Sequence, residues 1–265
     1  MAKQRLDQRV VELGLAESRE KAKTLIMSGE VFLDGRRVDK PGMMIPAESL
    51  PELHGQGLRY VSRGGLKLEK ALQVFPVLAK GKVCLDCGAS TGGFTDVLLQ
   101  NGAKKVYAVD VGYGQLAWKL RQDERVVSLE RTNLRYLTAE QVPEQIDLAV
   151  MDVSFISIRL ILPVVRPFLK PGADYICLIK PQFEAGREQV GKKGVVRDEA
   201  VHREVIAQCL QAAEDCGYSV RGLDYSPIRG PEGNIEFLCH LNQQSEGSIH
   251  PDIDAVVAAA HQEKI

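Results

Sequence analysis

The sequence predicts two folded parts: a small N-terminal α+β module and a larger α/β domain on an open, mostly parallel sheet whose last strand runs antiparallel. Three observations predict this. The first 40 or so residues read as helix, helix, hairpin, and a Pro/Gly-rich stretch follows. From residue 82, short apolar runs ("KVCLDCG", "KKVYAVDVG", "RVVSL", "IDLAVMD", "DYICLIK") alternate with helix-like pieces. Strands this apolar, separated by helices, are covered on both faces, as in a parallel sheet. Finally, "SVRGLDYSP" and "NIEFLCHL" are joined by a short Gly/Pro-rich loop, which predicts an antiparallel pair. A chain of 265 residues, 45% of them hydrophobic, can fill both cores.

In the first part, Leu6, Val10 and Leu13 recur at helical spacing and Gly14 stops them. Ser18 is placed to cap a second helix that Gly29 ends, with Ala22, Leu25 and Ile26 on its apolar side. Asp34-Gly35 between two β-rich runs is a hairpin signal. "KPGMMIPAESLPELHGQG" reads as the rest of a small sheet and then a linker. Residues 1–82 carry 15 Lys+Arg against 10 Asp+Glu, and the remainder 19 against 25, so a basic piece precedes an acidic body. That split hints at a polyanion contact. The run "RLDQRVVELGLAESREKAKTLIMSGEVFLDGRRVDKPG" resembles the S-four-type RNA-binding domain. The resemblance implies that helix two and the hairpin grip phosphates, which makes Arg5, Arg19, Lys23, Arg36 and Arg37 the candidate contacts.

Composition removes several classes. No apolar stretch approaches the roughly 18 residues of a membrane span, and the N-terminus has no apolar secretory core. The six cysteines are scattered, and "CLDC" has no second pair nearby, so they are expected to be reduced core residues in a cytoplasmic protein, with no metal.

After the first long strand the chain reads "LDCGASTGGFTD". Gly88, Gly92 and Gly93 permit a tight strand-to-helix turn and close approach by a ligand. The spacing is neither the dinucleotide fingerprint nor a phosphate loop. The second strand ends in Asp110, where a carboxylate can hold both ribose hydroxyls of a nucleoside. A glycine loop plus an acid without a pyrophosphate signature suits S-adenosylmethionine. Asp86 and the loop would hold its methionine end, Asp110 its ribose and Asn133 its adenine edge.

The fourth strand ends in Asp152 and the fifth in Lys180, at the same edge of the sheet. Glu236 begins the last strand, which, being antiparallel, starts at that edge too. Lys67 lies on a helix just before the sheet. Two lysines with two carboxylates suit deprotonation of an alcohol, because a ribose 2′-hydroxyl must lose its proton as it attacks. Burial, a second cation and a cationic cofactor lower a lysine's pKa, and carboxylates oppose that shift. Pro181 biases Lys180 toward extended backbone.

"GASTGGFTDVLLQNGAKKVYAVDVGYGQLAWKLR", "ERTN", "DVSFIS", "IKPQFE" and "GNIEF" resemble the TlyA (hemolysin-A-named) family, which joins an S-four-type domain to an FtsJ-like methyltransferase domain. The resemblance implies a Rossmann-like S-adenosylmethionine methyltransferase sheet. It implies 2′-O-methylation of cytidine in bacterial ribosomal RNA of one or both subunits, with a Lys67, Asp152, Lys180, Glu236 tetrad. Around the cofactor it places Asp86, Gly88, Ser90, Gly92, Phe94, Asp110, Asn133 and Asp152. Where the FtsJ pattern carries Ala-Pro, this chain has Ser90-Thr91, in agreement with the TlyA pattern. The expected partition is residues 1–58, a linker at 59–66 and residues 67–265. Arg63 in "LRYVSRGGLKL" is expected to couple RNA docking to the cofactor site. The expected partner is ribosomal RNA within the ribosome or its subunits, without a membrane, for a monomer or weak dimer. Rival readings are a base-amine methyltransferase, which wants a proline-rich motif where this chain has "DVSF", a non-catalytic ribosome assembly factor, and a cytolysin.

Overall fold

The computed structural model describes residues 3–27, 29–53, 59–244 and 246–263. The chain divides into two compact units, residues 1–65 and 66–265. The expected boundary at residue 58 lies outside the described residues.

The first unit runs β1 (Lys3–Arg5), α1 (Leu6–Glu12), α2 (Arg19–Met27), β2 (Val31–Leu33), β3 (Arg36–Arg37), β4 (Met44–Pro46) and β5 (Glu52–Leu53). Both helices turn their apolar stripes inward, so Leu6, Val10, Ala22 and Ile26 meet Val31 and Ile45 in one core. Ser18 caps α2 as its position suggests, its hydroxyl accepting from the Lys21 amide at 3.2 Å. The hairpin turns on Asp34 and Gly35, at φ 50° and 72°, the paired left-handed geometry of a type I′ turn. β1 is a departure from the predicted order. It is three residues long, too short to show alternation, and it puts Arg5 on a strand paired with β4 rather than in the first helix.

The second unit opens with α3 (Gly65–Val74). Then come β6 (Val83–Cys87), α4 (Gly93–Gln100), β7 (Lys105–Val109), α5 (Trp118–Arg121), β8 (Val126–Leu129) and β9 (Ile146–Met151). They are followed by α6 (Leu162–Val165), β10 (Leu169–Ile179), α7 (Pro181–Glu184), α8 (Glu199–Asp215), β11 (Ser219–Tyr225), β12 (Phe237–Asn242) and α9 (Ile253–Gln262). Among the described residues one seven-stranded sheet forms in the order β11-β12-β10-β9-β6-β7-β8. Its β10-β9-β6-β7-β8 run is parallel, and β12 is antiparallel to both neighbours. This is the predicted α/β class. β10 begins five residues earlier than "DYICLIK" suggests, with a register shift between Leu169 and Asp174; Pro171 and Gly172 disguise the start.

Register places the chemistry. Cys87 lies opposite Met151, and Met151 opposite Cys177. Ile179 pairs with Phe237. The residues just past these pairs, Gly88, Asp152, Lys180 and Glu236, therefore sit on four adjacent strands at one edge. Beneath them, β9 and β10 bury Val150, Met151, Leu178 and Ile179 almost completely, so the edge is the first place where these strands can present polar groups.

Candidate active site

Lys180 follows the buried end of β10. Its backbone is extended, at φ −112° and ψ 99°, and Pro181 starts α7 immediately. The proline ring disfavours helix at the preceding residue, so the Lys180 side chain is set at the strand end. Its Nζ lies 2.6 Å from Asp152 Oδ1 and donates to Ser154 Oγ at 3.1 Å. Lys67, from α3, donates to the other Asp152 oxygen at 3.1 Å and to Glu236 at 2.6 Å. The four residues thus form one chain, Lys180–Asp152–Lys67–Glu236, in which charges alternate and sum to zero. Both lysines and Glu236 are buried.

The electrostatics follow from this order. Burial alone would lower the Lys67 ammonium, but Asp152 and Glu236 outweigh it and raise it above the ordinary lysine value. Burial alone would raise Asp152, but Lys67 and Lys180 outweigh it and hold the carboxyl at about 2. Glu236 also accepts from Gln182 at 3.3 Å. Gly230 lies against Glu236 so closely that an added Cβ would strike its carboxylate.

A cavity of about 480 Å³ opens beside this chain, within the size range of small-molecule sites. Gly88, Ser90, Asp110, Asn133 and Asp152 line it. Gly88 has φ +86°, and a Cβ there would lie 3.2 Å from the Asp152 carbonyl oxygen; both facts require glycine. Asp110 accepts from the Ser90 amide at 2.8 Å and the Gly112 amide at 2.6 Å, which ties the glycine loop to the end of β7. The Asn133 side-chain oxygen Oδ1 caps the next turn by accepting from the Arg135 amide at 3.0 Å.

Three predicted cofactor residues do not line the cavity. Gly92 starts α4 at φ 96°, and a Cβ there would run into Leu120 and Leu116. Phe94 is buried in the helix–sheet packing. Asp86 is buried in β6, with one oxygen accepting from Thr95 Oγ1 at 2.6 Å and the other without a hydrogen-bond partner among the described residues. Burial lifts its carboxyl to about 7, against the opposing Thr95 hydrogen bond. Ser154 and Gln182 are site residues that sequence reasoning missed, although each lies two residues beyond a tetrad member in "DVSF" or "KPQF".

The predicted phosphate contacts divide in two. Arg5 and Arg19 both donate to Asp7, at 3.0 and 3.1 Å, and Asp7 is fully buried. Hydrogen bonds from Arg5 and Arg19 keep that carboxyl below its ordinary value despite burial. Lys23 pairs with Glu20 at 2.8 Å. Arg36 and Arg37 are exposed on β3, Arg37 lying 5.7 Å from the Phe32 ring centre. Arg63 is half-buried, 3.9 Å from Asp39, and burial followed by the charge of Arg37 lowers its guanidinium.

Comparison with known proteins assigns the chain to a family. Residues 60–243 match the FtsJ-like methyltransferase family, and residues 4–49 match the S4 domain. The chain belongs to the FtsJ-like methyltransferase family. Among its FtsJ-like relatives, YqxC of Bacillus subtilis is 59% identical over 92% of this chain and 88% of its own. The 16S/23S rRNA (cytidine-2′-O)-methyltransferase TlyA of Mycobacterium tuberculosis is 44% identical over 92% of each chain. A solved structure from Streptococcus thermophilus, described as a hemolysin, superposes with a TM-score of 0.78 at 51% identity, covering 99% of this chain and 97% of that one. This FtsJ-like chain therefore joins an S4 domain to a methyltransferase domain, and the cofactor of that fold and family is S-adenosylmethionine. The residues present fit it: Gly88 leaves the room that a Cβ would fill, and two residues before it the orphaned Asp86 oxygen lies beneath that lining. No helix among the described residues is long and apolar enough to cross a membrane.

Proposed function

We propose that this protein methylates the 2′-hydroxyl of a cytidine ribose in bacterial ribosomal RNA. The observation that carries the reading is the alternating chain Lys180–Asp152–Lys67–Glu236 beside the cavity. The name of its Mycobacterium tuberculosis relative supports the cytidine and the ribosomal RNA.

S-adenosylmethionine, when bound, supplies an electrophilic methyl carbon. The work left to the protein is to hold the attacking hydroxyl in line and remove its proton. Lys67 is shared by two carboxylates and stays an ammonium, so its role is to anchor Asp152 and Glu236. Lys180 has one carboxylate and the Ser154 hydroxyl as partners. To act as a base Lys180 must first release its ammonium proton to solvent; the neutral amine then points its two N–H groups at Asp152 and Ser154 and keeps one lone pair for the ribose hydroxyl. In that form Lys180 is the group that takes the proton, and Asp152 aims it. Asp86 and the Gly88–Ser90 turn hold the methionine end of the cofactor, Asp110 the ribose and Asn133 the adenine edge. Gly92 and Phe94 support that turn from behind.

In the same reading, residues 1–58 form the RNA-binding domain, 59–66 the linker and 67–265 the catalytic domain. Arg36, Arg37 and Arg63 contact phosphates, joined by Arg5, Arg19 and Lys23 through the N–H groups that Asp7 and Glu20 do not occupy. The substrate is one or both ribosomal subunits in the bacterial cytoplasm, and the protein acts as a monomer or weak dimer. The deciding experiment is transfer of labelled methyl groups to ribosomes and separated subunits, with the modified ribose mapped. Label in a base, or in no ribosomal RNA, would refute the reading.

A further inference from the structure

The catalytic unit carries a basic loop that the tetrad and the cofactor cavity do not use. Residues 191–197, "GKKGVVR", contain Lys192, Lys193 and Arg197 and no acid. Residues 83–265 hold 19 Lys+Arg and 25 Asp+Glu; without this loop the count is 16 against 25. A surface otherwise this acidic concentrates three cations in seven residues. All three are exposed, and none has a side-chain partner among the described residues. The nearest acid in sequence, Asp198, is committed to capping α8 by accepting from the Ala200 amide at 2.8 Å.

The loop is built, not loose. The Gly191 amide donates to the Val195 carbonyl at 3.0 Å, and the Gly194 amide to the Gly191 carbonyl at 2.8 Å, with Gly194 at φ +72°. Val195 and Val196 are buried and root the turn. The buried Asn234 side chain then clasps it from both sides: its carbonyl oxygen accepts from the Val196 amide at 3.1 Å, and its amide donates to the Gly194 carbonyl at 2.9 Å. Asn234 stands two residues before Glu236, a span of at most about 7 Å along the chain. The loop is therefore tied directly to the segment that delivers the last tetrad member. A neighbouring cavity of about 320 Å³ is lined by Lys192, Lys193 and Arg197, with Gln189 and the α8-capping Asp198 beside them.

We propose that the Gly191–Arg197 loop is an RNA-docking surface of the catalytic domain, in which Lys192, Lys193 and Arg197 neutralise phosphates of the strand whose ribose enters the tetrad. This rests on RNA being the substrate. Cations fixed on a clasped backbone attract a polyanion without the cost of ordering a mobile segment. Their tether to the Glu236 segment favours RNA over an anionic membrane, because the chain whose phosphates bind there is the one that must reach the tetrad.

The test uses the full chain carrying K192Q, K193Q and R197Q together. Binding to purified ribosomal subunits is measured by filter retention across a salt series, alongside binding to phosphatidylglycerol vesicles. Three lost contacts to single-stranded phosphate would lower the salt slope by about 2, so the wild type should lose about twentyfold more affinity than the variant between 50 and 200 mM salt. KM for subunits should rise while kcat and cofactor affinity hold. K193Q alone, a change at one exposed side chain, should give about a third of the slope change. Equal slopes overturn the proposal, as does a variant that loses vesicle binding and keeps RNA binding. A wild type that methylates no ribosomal RNA but keeps the steeper slope sinks the reaction and leaves the loop. Normal methylation with coincident slopes does the reverse.

Discussion

Lys180 and Asp152 stand 2.6 Å apart at the ends of neighbouring parallel strands. Parallel pairing of β9 and β10 brings both strand ends to one edge, so the contact follows from topology as much as from charge. If Lys180 takes the ribose proton, K180M should reduce single-turnover methyl transfer by roughly 10²–10⁴, the usual worth of a general base. Cofactor affinity, read by calorimetry, should stay near wild type. Undiminished transfer would remove Lys180 from the mechanism.

Lys67 has a different job, and its loss should show in stability first. K67M leaves Asp152 and Glu236 buried around an apolar side chain. Removing one partner of a buried ionic cluster costs about 3–5 kcal/mol. Urea denaturation should show that loss, and the added change E236Q should recover part of it. A K67M protein as stable as wild type would mean that the cluster carries no structural weight.

The same cluster sets an acid limit. The folded Asp152 carboxyl lies at about 2, below its ordinary 3.8, so its contribution is complete above pH 4–5 and is lost as pH falls toward 2. Lys67 is raised above its ordinary 10.5, so its contribution is complete below that value and is lost only in strong alkali. The Tm difference between wild type and D152N should therefore be flat from about pH 5 to 10 and shrink below 4. A difference that changes steadily across neutrality would contradict these assignments.

Asp86 runs the other way. Its carboxyl, raised by burial to about 7, keeps a proton in the folded state that the unfolded chain has already lost above 3.8. It therefore opposes stability increasingly as pH rises through that window. A cofactor ammonium at the unpartnered Asp86 oxygen would reverse the balance by favouring the ionised form. Binding of S-adenosylmethionine should tighten from pH 6 to 8 in the wild type, and D86N should bind more weakly and without that trend. Parallel pH profiles for the two proteins would place the methionine end elsewhere.

Arg63 sits among Arg37, Asp39 and Gly29 in the first unit. R63A should lower methylation of ribosomal RNA more than it lowers Tm measured without cofactor. Equal losses would mark Arg63 as a packing residue.

Much of this site was legible along the chain. Apolar runs that end in a charged residue identify Asp110, Asp152 and Lys180, because a strand buried on both faces can turn polar only where it leaves the sheet. The glycines of "CGASTGG" mark the turn, yet their separate tasks are not readable from spacing. Gly88 approaches the Asp152 carbonyl, whereas Gly92 makes room for Leu116 and Leu120. Phe94 and Asp86, expected at the cofactor, lie beneath the cavity lining. Arg5 and Arg19 resemble free phosphate ligands in sequence and are both engaged with buried Asp7.

By itself, then, the sequence determined the alternation of strands and helices in the second unit, the edge at which polar residues emerge, and a cofactor without a pyrophosphate. Only the tertiary structure decided which lysine meets which carboxylate. Lys67 reaches Asp152 across 85 residues and Glu236 across 169. No local pattern encodes such contacts; strand order and register do, by folding α3 and the antiparallel β12 back to the edge where β9 and β10 end.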